Sequence, residues 1–119
     1  MKVVKFGGSS MADARQYRKV REILMADSER KVVIVSAAGK RFSGDHKLTD
    51  LLYLCHAHVQ YGVDCSGIFD MIANRYLDIR DELGLDLQIE PELEALKKRI
   101  DAKRVTQEEL VSRGEYFSA

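Results

Sequence analysis

Apolar residues in this chain first come in short unbroken runs and then settle into helical spacing. Val3, Val4 and Phe6 make one run that ends at Gly7-Gly8, and Val32 to Val35 make another that ends at Ser36-Ala37-Ala38-Gly39. Short runs closed by small residues are the pattern of buried strands that feed tight turns. Between them Tyr17, Val20, Ile23 and Leu24 recur on one helix face, with Ser10 or Asp13 placed to cap its start. The first third therefore predicts a strand, helix, strand unit, whose right-handed crossover makes the two strands parallel.

Beyond the second strand the spacing is helical. Leu48, Leu51, Leu52, Cys55 and Val59 form a stripe that stops near Gly62; Ile68, Phe69, Ile72, Tyr76, Ile79 and Leu83 form another that stops at Gly84. Pro91 suits the first turn of a helix carrying Leu93, Leu96 and Ile100. Thr106 with Glu109 three residues on is a capping-box pattern, opening a last helix that carries Leu110 and runs into Ser112-Arg113-Gly114-Glu115. The class is α/β: two parallel strands, then mostly helices. Two strands are few for a parallel sheet, which normally has both faces covered. The expected sheet is unfinished, its edges either pairing with another copy or lying beside further segments. Tyr116 to Ala119 stay helix-compatible without a stop signal, so the chain is expected to continue.

Composition narrows the partner. The 119 residues are 45% hydrophobic and 32% charged, a globular balance, and 19 basic residues match 19 acidic ones. Such neutrality gives no field for nucleic acid or an anionic membrane, and a small-molecule partner is expected. The run Met1 to Phe6 is too short for a signal-peptide core and nothing approaches a bilayer span, so the expected location is cytoplasmic. Cys55 and Cys65 fall in predicted helical segments without zinc-site spacing, as buried reduced thiols. His56 and His58, two apart, point to different sides of a helix and do not converge on a metal; His46 lies in a polar loop.

The sharpest chemical feature is Lys5-Phe6-Gly7-Gly8-Ser9-Ser10, between the first strand and its helix. Glycines let backbone N–H groups approach a polyphosphate, a helix N-terminus adds partial positive charge, and Lys5 adds a full one. Neither the G-x-x-x-x-G-K-[ST] loop nor G-x-G-x-x-G occurs. Taken by itself, the glycine pair fits a plain chain turn beside a solvated lysine better, since strand-to-helix turns commonly use glycine. The second strand, however, ends in a similar turn, Ser36-Ala37-Ala38-Gly39-Lys40, and parallel neighbours bring both to the sheet edge where open α/β folds bind ligands.

Three blocks resemble, in order and spacing, those of the aspartate kinases of the amino-acid kinase superfamily: Lys5 to Ser10 running on through Ala12-Asp13, Ser36 to Lys40 followed by Thr49-Asp50, and Ser112-Arg113-Gly114-Glu115. The resemblance covers the whole chain and implies the N-terminal portion of that family's three-layer catalytic domain, residues 1–119. The second half, with its base pocket and carboxylate-binding arginine, and the regulatory ACT domains are absent from it. The implied activity is ATP-dependent phosphorylation of the side-chain carboxylate of L-aspartate, a step towards lysine, threonine and methionine, with Mg²⁺ accompanying ATP and a homo-oligomer in the full-length enzyme. Lys5 is implied as the catalytic, phosphate-binding lysine, with Phe6, Gly7, Gly8 and Ser9 in the ATP-phosphate loop, and Ser36, Thr49 and Glu115 holding the amino acid. A buried glutamate suits an α-ammonium group. Phosphoryl transfer to a carboxylate needs positioning and charge neutralisation rather than a general base.

Bland readings stand beside these. Thr49 fits a helix N-cap and Glu115 a solvated helix residue. Residues Arg41 to Leu48 form a charged insertion relative to shorter members, which loosens the alignment of Thr49. The same blocks fit a superfamily kinase with a glutamate, carbamate or nucleotide acceptor, or a binding module without catalysis. Without its second half, the isolated chain is expected to be inactive.

Overall fold

The computed structural model describes Met1–Ala119. The order is β1 (Lys2–Phe6), a 3₁₀ turn (Gly8–Met11), α1 (Ala14–Met25), β2 (Arg30–Val35), α2 (Leu48–Gln60), α3 (Ser66–Leu83), α4 (Glu90–Asp101) and α5 (Gln107–Ser118). The strands pair in parallel, Val4 opposite Val33 and Phe6 opposite Val35, and form a sheet of two. The 3₁₀ turn was not legible in the sequence; it carries Met11, which is buried with Phe6 and Val20 beneath the sheet.

The helix boundaries follow the local signals. Asp13, not Ser10, caps α1, its Oδ1 accepting from Gln16 N–H at 3.0 Å. Thr106 Oγ1 accepts from Glu109 N–H at 3.1 Å at the start of α5. Gly62 and Gly84 take φ of 68° and 67°, left-handed backbone that ends α2 and α3 where glycine carries no Cβ penalty. Pro91 lies in the first turn of α4. The main core is helical: Leu48, Leu51, Leu52 and Cys55 of α2 pack with Phe69, Ile72, Tyr76 and Ile79 of α3, Leu93, Leu96 and Ile100 of α4, and Leu110 of α5. Cys55 and Cys65 are both buried and free; Cys65 sits just ahead of α3 rather than inside it.

Two expectations need correction. The strands are not buried: Val3, Val32 and Ile34 lie on the face that α1 does not cover, and Val33, on the α1 side, is only partly covered, so all four remain 40–60% exposed. Ile23, on the predicted stripe of α1, is half-exposed, since only Tyr17, Val20 and Leu24 of that stripe find partners. No helix is long and apolar enough to cross a membrane.

Candidate functional site

The two small-residue turns meet at the C-terminal edge of the sheet. Gly39 N–H donates to the Gly8 carbonyl at 2.7 Å, and Ser36 N–H to the Phe6 carbonyl at 3.1 Å. The approach is so close that a Cβ on Gly39 would stand 2.6 Å from the Gly8 carbonyl carbon, inside van der Waals contact with backbone that cannot rotate away. Leu48 N–H donates to the Ala38 carbonyl at 3.0 Å, which seats the start of α2 on the second turn. The third block arrives from the opposite side: Gly114 of α5 lies so near the turn that its missing Cβ would fall 2.5 Å from Ala37 Cβ.

These contacts enclose an open cavity of about 540 Å³. Gly8 and Ser9, the turn from Ser36 to Lys40, and Lys47, Thr49 and Glu115 line it. Five of the eight expected site residues therefore converge: Gly8, Ser9, Ser36, Thr49 and Glu115. Thr49 is not the N-cap. Lys47 holds that position and Thr49 falls within the first helical turn. Glu115 is exposed rather than buried.

The other three do not line the cavity. Phe6 packs its ring against Met11 and Val20 and offers the site only backbone. Gly7 is exposed at the entry to the turn. Lys5 alternates with Val4 and Phe6, so it projects from the uncovered face of the sheet beside Val3. In its place the cavity has two lysines not singled out in the sequence, Lys40 and Lys47.

Arg75 was also missed, although it sets the geometry. It is 4% exposed and donates from Nη2 to the carbonyls of Gly39 (2.6 Å) and Ala12 (3.1 Å), and from Nη1 to that of His46 (3.0 Å). One guanidinium thus ties both turns and the loop ahead of α2. Its Nε has no partner, and burial pushes its pKa below the usual arginine value. Arg75 occupies a position on the same face as Ile72 and Ile79, and a charged residue on an apolar stripe was the available signal. Tyr76 performs a similar task from below: its hydroxyl donates to the Gly114 carbonyl at 2.7 Å, meets Ser118 Oγ at 3.1 Å and lies 3.5 Å from Ala38 N. Burial pushes its pKa up, so it remains a neutral phenol.

The Amino acid kinase family model matches residues 1–119. The chain belongs to the amino acid kinase family. It is 43% identical over 89 residues to Aspartokinase 3 of Bacillus subtilis (strain 168), 75% of this chain and 20% of that protein. Among solved structures it is similar to the aspartate kinase of Clostridium acetobutylicum, with a TM-score of 0.92 and 47% identity over 97% of this chain and 26% of that one. Aspartokinase III of E. coli, in complex with aspartate and ADP, gives a TM-score of 0.75 at 28% identity over 98% of this chain and 26% of that one. The chain thus spans a fifth to a quarter of the length of these relatives, and the amino acid kinase fold it follows is α/β, as the strand and helix pattern requires.

Proposed function

We propose that this chain is the N-terminal part of an aspartate kinase, holding the phosphate-side turns and part of the amino-acid site for transfer of a phosphoryl group from ATP to the side-chain carboxylate of L-aspartate. The observation that carries this reading is the convergence of the glycine turns with Thr49 and Glu115 on one cavity, in a fold similar to kinases of that name. On this reading backbone N–H groups at Gly7, Gly8 and Ser9 face the phosphates. Lys5, on a flexible stem one residue ahead of the turn, swings over the sheet edge to neutralise charge on the transferring group. Ser36 and Thr49 hold the substrate's polar groups and Glu115 its ammonium.

No group of three His, Cys, Asp or Glu side chains converges in this chain, so its residues do not themselves fit a magnesium cage. Mg²⁺ enters with ATP, and the steps assigned here are binding, orientation and charge neutralisation by protein groups. The product, an acyl phosphate, suits a cytoplasmic pathway towards lysine, threonine and methionine, and the full-length enzyme is a homo-oligomer in this proposal.

The test is aspartate-dependent ADP formation by the full-length protein, with glutamate as the competing acceptor. Aspartate is expected to be preferred, and Glu115→Gln to raise the KM for aspartate about tenfold or more while leaving that for ATP unchanged, since a hydrogen bond to a charged group is lost. Preference for glutamate, or no ADP with either, refutes the assignment.

A further inference from the structure

The loop from Lys40 to Lys47 begins and ends with lysines that line the cavity, and most of its other residues are exposed. Asp45 is the exception. Its carboxylate accepts three hydrogen bonds from Arg41, from the backbone N–H at 3.0 Å, Nε at 2.6 Å and Nη2 at 3.0 Å, and it lies 3.6 Å from Arg75 Nη1. The same Arg75 grips the carbonyls of Gly39 and His46. These are the residues immediately before Lys40 and Lys47, so the clasp fixes the backbone that launches both lysines. Neither lysine forms an ion pair, and Glu115 is the one acidic residue facing them in the cavity. Both lysines line the one cavity, so a polyanion seated there meets two positive charges and one negative.

We propose that the 40–47 loop is a preformed clamp for the nucleotide's polyphosphate, in which Lys40 and Lys47 contact phosphate oxygens and Asp45 positions both through Arg41 and Arg75. The proposal rests on the kinase reading and adds to it the cations that the cavity contains. A clasped loop loses less conformational entropy on binding than a free one, so affinity depends on the clasp as well as on the lysines.

The probe is inorganic tripolyphosphate, titrated calorimetrically into the full-length protein at two salt concentrations, a readout that needs no turnover. Saturable binding that weakens with salt is expected. Lys40→Gln and Lys47→Gln should each weaken it about threefold to tenfold, the scale of one charge-assisted contact at a partly exposed site. Lys31→Gln, on the exposed strand, should not. Asp45→Asn should weaken binding to the same degree with both lysines present. Arg41→Gln, which removes only the exposed half of the clasp, covers the case in which Asp45→Asn unfolds, and Asp45→Glu should restore part of the affinity. Absence of tripolyphosphate binding, lysine variants that bind like wild type, or a folded Arg41→Gln with undiminished affinity overturns the clamp. Intact, clamp-dependent binding in a protein that phosphorylates no amino acid would refute the activity and leave the clamp standing.

Discussion

Gly114→Ala tests whether the close approach of α5 to the second turn builds the site. The added Cβ would lie 2.5 Å from Ala37 Cβ and 3.4 Å from Leu52 Cδ1. Carbon atoms prefer about 3.5–4.0 Å, so the first contact overlaps by roughly 1 Å or more. Neither atom is the end of a flexible side chain: both Cβ atoms are fixed to backbone, so relief requires α5 and the turn to part. Overpacking of this kind costs about 1–3 kcal/mol, while alanine gains about 0.8–1 kcal/mol over glycine in a helix interior. An overlap of this size belongs at the upper end of the steric range, so the steric term is expected to win, for a net loss of about 2 kcal/mol. Parting also stretches the 2.7 Å bond from Tyr76 to the Gly114 carbonyl and carries Glu115 off the cavity wall. Urea unfolding of the variant, beside Gly67→Ala in α3, where a Cβ meets nothing within 4 Å, supplies the comparison. Gly67→Ala should be neutral or slightly stabilising. A Gly114→Ala protein at least as stable as wild type would show that the contact between helix and turn is not tight, and the account of Glu115's placement would fall with it.

Two further outcomes follow from buried groups. Cys55 is fully buried, and burial, then its neighbour Cys65, push its thiol up from 9.0 to about 12. The unfolded chain ionises first, so the stability this thiol contributes is intact below pH 9 and is lost as pH rises from 9 towards 12. Denaturation midpoints between pH 8 and 11 should therefore fall less steeply in Cys55→Ala than in wild type, and equal slopes would refute the assignment. Arg75→Met leaves the carbonyls of Ala12, Gly39 and His46 without their donor and Asp45 with one cation fewer; a loss of about 3–5 kcal/mol is expected by urea denaturation, and a loss under about 1 kcal/mol would show that the clasp does not hold the turns.

Much of the fold and part of the site were legible in the residues themselves. Helix ends at Gly62, Gly84, Asp13 and Thr106 follow from backbone sterics and capping, which act within a few residues. The parallel pairing of β1 and β2 follows from the single helical crossover between them, and so does the meeting of Gly8 with Gly39 at one edge. Motif identity brought Ser36, Thr49 and Glu115 into the candidate list, and the cavity gathers all three.

What the residues alone left open depends on contacts between distant segments. A run such as Val32 to Val35 has the apolar character of a buried strand, yet its exposure is decided by whether another layer lies over it, and here α1 covers one face only. Side-chain alternation along β1 turns Lys5 to the uncovered face, while the clasp of Asp45, Arg41 and Arg75 delivers Lys40 and Lys47 to the cavity. Local sequence determined the elements and their turns, because propensity, capping and handedness are short-range. Only the tertiary structure decided which cations face the cavity, because that choice rests on one buried guanidinium whose acceptors lie 29 to 63 residues away in the chain.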